Sequence, residues 1–203
     1  TLTKGINDHQ VGDIIKFAFD NNDIIYGVNF QPVSFAGRTP SDEVEEQRIT
    51  ISDFVDIVED VTDGHVPSSS FYPPSFVEPI AEIISRLDGE ESPKVTLNCH
   101  QHCGIATYVF REKTDGEGKD KLIPITDFID VERLFNKLSE YNEKLERGKF
   151  GSHKRVLAGL TGNLPKMVHP SKTPEDLDIV KVLLNVFAKG DYDALGAFSK
   201  DIA

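Results

Sequence analysis

The chain has 203 residues, 22 Lys and Arg against 34 Asp and Glu, and a formal net charge of −12; that charge repels phosphate backbones and argues against nucleic acid as the main partner. A hydrophobic fraction of 38% beside 28% charged residues suits a soluble globular fold of one large or two small domains, and no apolar run is long enough for a transmembrane helix. Two cysteines do not make a secreted disulfide framework and the first residues lack a signal peptide, so the expected compartment is a reducing cytoplasm.

Residues 1–36 read as strand, helix, strand. "TLTKGIND" is a short strand ending in a polar loop. In "HQVGDIIKFAFDNN", Val11, Ile14, Ile15 and Ala18 fall at helical spacing before an Asn-Asn stop. "DIIYGVNFQPVSF" is rich in β-branched and aromatic residues and predicts a buried strand running into an extended loop. Two parallel strands joined by one helix form a βαβ unit, whose edges need neighbours that so short a stretch cannot supply. The expectation is therefore a piece of a larger α/β sheet or barrel. The polar, acidic stretch over 37–49 predicts a boundary, giving one unit over 1–39 and a second over 40–203.

Farther on, Ile51, Phe54, Val55, Val58 and Val61 share one helical face, with Ser52 as the expected cap and Gly64 as the stop. "HVPSSSFYPP" reads as a loop and "SFVEPIAEIISRLDG" as a helix with Pro79 near its start. Residues 94–126 read as a strand, a Cys/His turn, a strand, a Gly/Asp/Lys hairpin loop and a strand. The longest apolar stripe follows: Phe128, Val131, Leu134, Phe135, Leu138, Tyr141 and Leu145 predict one helix capped by Thr126 and ended by Gly148. "FGSHKRVLAGLTGNLP", "TPEDLDIVKVLLNVFAKG" (with a Thr-Pro-Glu-Asp start) and "DYDALGAFSKD" predict three more helices. The fold class is α/β: a βαβ unit, then an α+β region with a small sheet and several helices.

The chemistry concentrates in "LNCHQHCG", which holds Cys99, His100, His102 and Cys103. Thiolate and imidazole both bind soft or borderline metals, and Cys99, His102 and Cys103 fall at ligand spacing, with His65, His153 or His169 as a possible fourth ligand. The alternative is a strand end in which Cys99 fills a core and Cys103 opens a glycine turn. A second candidate is "GVNFQPVSFAGR": Asn29 and Gln31 offer amide groups where a parallel sheet places its ligands, and Arg38 suits a carboxylate or phosphate. Asn7, in "GINDHQVGD", has the same character at the exit of the first strand. On the residues alone, polar side chains capping the exits of buried strands are the favoured reading of both. The 65–74 loop carries aromatic and hydroxyl groups that suit a pocket or an ordinary surface. No Walker loop, nucleophile elbow or dinucleotide fingerprint is present.

Taken together, "GINDHQVGDIIKFA", "GVNFQPVSFAGR", "RITISDFVDIVEDVT", "SSSFYPPSFVEPI" and "CHQHCGIATYVF" follow one another as in the archaeal radical S-adenosylmethionine proteins related to tetraether lipid synthase. That family is also linked to methylation of a pterin. The resemblance covers residues 1–135 and leaves the helical tail undiagnosed. It implies that the βαβ unit is the end of a partial (β/α)6 radical barrel. The family's [4Fe–4S] cluster binds S-adenosylmethionine and cleaves it to a 5′-deoxyadenosyl radical. In the lipid synthase that radical starts the joining of isoprenoid chains for archaeal membrane lipids.

The same resemblance implies that Asn7, Asn29 and Gln31 lie near the adenosyl group and that Arg38 meets substrate. It also implies that Cys99, Cys103 and His102 are ligands of an auxiliary cluster completed elsewhere. The sequence departs from the family at one point: it has no Cys-x3-Cys-x2-Cys loop. The chain starts at Thr1 and its single methionine is Met167, so the expectation is the later part of a longer enzyme, inactive alone, whose first partner is the preceding part of the same polypeptide. A lipid or small-molecule substrate, cytoplasmic placement with membrane association of the whole enzyme, and a homodimer of the isolated piece complete that reading. The alternatives are methylation of a pterin precursor, or a standalone α/β interaction module with a structural metal at the Cys/His turn.

Overall fold

A computed structural model describes residues 1–87, 103–114, 120–146, 153–175 and 177–189. The expected strand over 94–98, Cys99, His100, His102, the hairpin tip over 115–119, the Gly148 stop and the last helix over 191–201 lie outside the described residues.

The first strand shrinks to one parallel pair, Leu2 with Pro32. The Leu2 N–H donates to the Gln31 carbonyl at 2.6 Å, and its carbonyl accepts from the Val33 N–H at 2.8 Å. Between them helix α1 (Val11–Asp20) forms as its periodicity predicts, so a right order of strand, helix and parallel strand is present in minimal form. The buried strand expected over 23–35 does not form: Ile24, Tyr26 and Val28 are exposed and residues 25–31 carry no strand pairing. β-propensity reports a fit to a covered, pleated surface, and among the described residues none pairs with 25–31 as a strand, although Phe30 packs on Phe54.

The acidic stretch expected as a boundary forms helix α2 (Ser41–Gln47). Asp42 and Glu43 sit in its first turn, where carboxylates meet the positive end of the helix dipole. Helix α3 (Ile51–Val61) is capped by Thr50 and not by Ser52. Thr50 accepts from the Asp53 N–H while the Asp53 carboxylate accepts from the Thr50 N–H at 2.7 Å, a reciprocal capping box. The chain leaves α3 through Asp63 and Gly64 at positive φ, with the Gly64 N–H returning to the Glu59 carbonyl. The Thr50 hydroxyl, and after it the Thr50 N–H, hold the Asp53 carboxyl below the usual carboxylate range.

Because that folded pKa is depressed, the box stabilises above the unfolded pKa and its contribution fades as pH falls through the folded value. Thr50→Ala is expected to cost about 1 kcal/mol at neutral pH. In urea titrations, the gap between variant and parent should narrow at pH values below the ordinary Asp range; a gap that persists there would remove Asp53 from the account.

Beyond the 65–74 loop comes α4 (Glu78–Leu87), then an antiparallel hairpin of β1 (Val109–Glu112) and β2 (Lys121–Pro124). Its register pairs Phe110 with Ile123 and Arg111 with Leu122. The single helix expected from Thr126 onward is broken in two, α5 (Ile125–Phe128) and α6 (Val131–Glu146). Between them Ile129 is extended and pairs antiparallel with Val168. Thr126 donates its hydroxyl to Ser70, and Asp130 accepts from the Arg133 N–H at the start of α6 instead. Helices α7 (His153–Asn163) and α8 (Ile179–Lys189) complete the described part. No helix begins at Thr173, Pro174 or Glu175, and Asp176 lies outside the described residues; Asp178 accepts from the Lys181 N–H and begins α8.

Two cores result. The larger takes Ile83 and Ile84 of α4, Phe110, Ile123 and Phe128 of the hairpin and α5, Leu134, Leu138 and Tyr141 of α6, and the buried faces of α7 and α8. In α7, a Cβ at Gly159 would lie 2.5 Å from the Tyr141 hydroxyl, so glycine lets α6 and α7 approach there. The smaller core joins Leu2 and Val11 to Ile49, Val58 and Val66, with Phe30, Val109 and Leu122 against it. It therefore spans residue 39 and binds α1 to α3 and the hairpin. No helix among the described residues is long and apolar enough to cross a membrane.

Candidate functional site

Two places carry the candidate residues, and the smaller core lies between them. The first is the start of the chain. Asn7 follows the first strand and is half-buried. Its Oδ1 accepts from the Thr3 N–H at 2.8 Å and its Nδ2 donates to the Thr1 carbonyl at 2.9 Å, so both ends of the carboxamide serve the strand itself. The Gly5 turn and the Asp8 carboxylate, which accepts from the Gly5 N–H, fix this loop. Gln31 lies beside Leu2 in the parallel pair, with its side chain exposed. Asn29 is exposed three residues before Pro32, on the side where the chain enters the pair, and Arg38 is exposed beyond Gly37. Asn7 and Gln31 are thus brought to opposite sides of one strand, whereas Asn29 and Arg38 flank the pair.

The second place is the Cys/His turn. Of its candidate ligands only Cys103 is described, and it is exposed. Gly104 lies against Pro74, where a Cβ would meet the ring at 3.7 Å, and Ala106 pairs antiparallel with Tyr72 through two backbone hydrogen bonds. The 65–74 loop, a minor candidate in the sequence, is therefore the wall against which the Cys103 segment runs. Behind it the rings of Tyr72, Phe76 and Phe135 stack at centroid distances of 4.5 and 4.4 Å. Burial, and then the charges of Glu132 and Asp130, push the Tyr72 phenol up from its usual value, so it stays a neutral donor throughout the ordinary pH range. This ladder is absent from the sequence reading; Phe135 stands in the predicted apolar stripe, but nothing in the linear pattern pairs it with a loop more than fifty positions earlier.

His65 and His169 are exposed, and no group of three or more His, Cys, Asp or Glu able to hold a metal occurs among the described residues. The described residues alone do not fit a cluster site, and no chemical step is derived through one.

No family model matches the chain. Among curated proteins, the chain is 42% identical over 197 residues to a 7,8-dihydro-6-hydroxymethylpterin dimethyltransferase of Methanocaldococcus jannaschii. The match covers 96% of this chain and 37% of the relative. The chain thus spans a little over a third of the protein it resembles. A match over 96% of the chain extends into the helical tail, which carries no diagnostic motif.

One feature that sequence reasoning missed links these places. Arg111 of β1 is 7% exposed. Its Nη1 donates to the Asp20 carboxylate at 2.8 Å and its Nη2 to the Phe19 carbonyl at 2.6 Å, at the end of α1. The Phe19 ring lies 5.5 Å under the guanidinium, and Asp120 stands 3.6 Å away. Arg111 therefore fastens the helix that follows the Asn7 turn to the hairpin that follows the Cys/His turn.

Proposed function

We propose that the chain is the later part of a radical S-adenosylmethionine enzyme that methylates a reduced pterin. The observation that carries this reading is the 42% identity across 96% of the chain to a protein named as a dimethyltransferase of 7,8-dihydro-6-hydroxymethylpterin. The radical chemistry comes from the resemblance of residues 1–135 to that enzyme class. The expected joining of isoprenoid chains finds no support in the comparison and gives way to pterin methylation.

Within this proposal the cluster loop and most of the barrel belong to the rest of the polypeptide. Asn29 and Gln31, exposed beside the parallel pair, are the candidates for contact with S-adenosylmethionine; Asn7 supports them by holding the first strand. Arg38 is the candidate for substrate, because its planar fork matches the carbonyl and ring nitrogen edge of a pterin. Cys103, with Cys99 and His102, remains the candidate for metal ligation.

The test is anaerobic reconstitution of the longer polypeptide with iron and sulfide, followed by incubation with S-adenosylmethionine, a reductant and 7,8-dihydro-6-hydroxymethylpterin. The expected products are 5′-deoxyadenosine and a pterin heavier by one or two methyl groups, read by mass spectrometry. 5′-Deoxyadenosine without a methylated pterin would overturn the substrate assignment. No 5′-deoxyadenosine above a control lacking reductant would overturn the radical chemistry.

A further inference from the structure

Along α6, Arg133, Asn136, Lys137 and Glu140 stand at positions i, i+3, i+4 and i+7, so they share one face of the helix. Asn163 at the end of α7 and Met167 at the end of the turn Leu164–Met167 form the facing wall. These six residues line an open groove of about 230 Å³. None of them belongs to either candidate place. The groove gathers cations in a chain whose formal net charge is −12. One carboxylate, Glu140, serves two ammonium groups, Lys137 at 2.7 Å and Lys144 one turn farther on. Both ammoniums also lie over the Tyr141 ring, 5.2 and 5.9 Å from its centroid. Hydrogen bonds from Lys137 and then Lys144 hold the Glu140 carboxyl down to about 2, so the trio stays fully charged and keeps one net positive charge. Pairs at i, i+3 and i, i+4 are ordinary helix stabilisers, and alone they imply no ligand.

Arg133 is different. The residues three and four positions away are Ile129, Asp130, Asn136 and Lys137. The one carboxylate among them, Asp130, accepts from the Arg133 backbone N–H at 3.0 Å. The guanidinium instead donates from Nη1 to the Lys166 carbonyl at 3.1 Å. That bond lays the side chain across to the Leu164–Met167 turn. Its Nε and Nη2 then have neither a hydrogen-bond partner nor a carboxylate among the described residues. A positioned guanidinium with its Nε–Nη2 edge open can meet two oxygens of an oxyanion through parallel bonds. Across the groove, Asn163 commits its Nδ2 to the Tyr141 hydroxyl at 3.0 Å and the Gly159 carbonyl at 2.7 Å. The group it has left is the Oδ1 acceptor.

We propose that this groove binds a phosphate group, with the Nε–Nη2 edge of Arg133 and the Lys137 ammonium on its oxygens. Asn163 Oδ1 accepts from a hydroxyl of the phosphate or of the molecule that carries it, and the Asn136 amide is a further donor on the same helix face. Glu140 does not repel the anion, because two ammoniums more than neutralise it. Three cations and one carboxylate match a doubly charged phosphate, whereas a singly charged carboxylate ligand would leave one cation unanswered. The site stands apart from the reaction proposed above and does not depend on it.

Heteronuclear NMR of the 203-residue chain, titrated at constant ionic strength with inorganic phosphate, glycerol 3-phosphate or acetate, tests the site. The expected result is a saturable shift of the Asn136, Lys137 and Asn163 amides with the two phosphates and a much weaker one with acetate. Arg133→Gln should weaken phosphate binding by about tenfold or more, as expected for the loss of charge-assisted bonds. Lys137→Gln should weaken it by about threefold or more; that side chain holds no backbone group, so its effect is readable even where Arg133→Gln loosens the Leu164–Met167 turn. Lys16→Gln removes the same charge from α1 and should leave the affinity unchanged. Shifts that never saturate, acetate binding as tightly as phosphate, or an equal loss in Lys16→Gln would each overturn the proposal, since general charge attraction would then explain the shifts. Tighter binding of glycerol 3-phosphate would support a phosphate carried on an organic molecule, and tighter binding of inorganic phosphate would support the free ion.

Discussion

Phe128→Ala should destabilise the fold by about 3–5 kcal/mol, seen in thermal unfolding as a fall of roughly 6–20 °C for a chain of this size. Phe128 is fully buried, and its ring meets that of Phe110 edge-on at a centroid distance of 5.4 Å. It ends α5 at the point where three parts of the larger core converge. Its own carbonyl accepts from the His169 N–H, and two residues later the Asp130 N–H donates to the Met167 carbonyl. The backbone around it is therefore tied on both sides of the Ile129–Val168 pair and cannot collapse into the space an alanine would leave. A cavity that stays open costs the contacts of its walls as well as the transfer energy of the ring. Phe128→Leu should recover much of the loss. If the leucine and alanine variants unfolded at the same temperature as the parent, the convergence of α5, the hairpin and the Met167 segment on this side chain would be wrong.

The same region shows how far the sequence could be read. The stripe from Phe128 to Leu145 predicts the buried face of a helix correctly, and Leu134, Leu138 and Tyr141 are buried as it requires. Periodicity does not detect the break, because a two-residue interruption returns Leu134 to the core on either reading. The signal present was Asp130 three residues before Arg133, a cap pattern as good as that of Thr126; the choice between them was made by Ser70 and Val168, which are distant in sequence. The hairpin was legible because its alternation is local. The strand over 23–35 was not, because what decides a strand is the surface that covers it. Ile24, Tyr26 and Val28 read as buried and stand exposed, while Phe30 alone of this stretch packs against the smaller core.

The candidate site was legible in composition and not in geometry. Asn7 was picked out as an amide at a strand exit, and the structure commits that amide to the strand edge. Cys103 was picked out for its thiol, and the structure adds the 65–74 loop, which Gly104 meets at Pro74 and Ala106 at Tyr72. Arg111 gave no sign, since an arginine in an alternating strand ordinarily points to water. Only the end of α1, some ninety positions away, makes it a buried residue.

Arg111 is where the second large effect is expected. Arg111→Ala should cost about 1–3 kcal/mol, with the Phe19 carbonyl losing its donor and the smaller core losing the stem that fills the gap between α1 and β1. Asp20 is open to water, so it is not stranded as a buried charge and the cost stays below that of breaking a fully buried pair. Arg111→Met should cost less than the alanine variant, because it keeps the stem and removes a guanidinium whose buried Nε finds no hydrogen-bond partner among the described residues. The informative readout is local: amide exchange in α1 should accelerate in both variants while that in α6 stays unchanged, since α1 is held through the smaller core and this clasp. Asp20 provides a check on charge. Lys16 first and Arg111 second hold its carboxyl below the usual range, so the pairing stabilises above the ordinary Asp pKa and is lost as pH falls through the depressed value. In a carboxyl NMR titration, the Asp20 pKa should rise in Arg111→Met and rise further in Lys16→Ala. An unshifted Asp20 in the methionine variant, with α1 exchange unchanged, would mean that the helix bearing Phe17 is not fastened to the hairpin by Arg111.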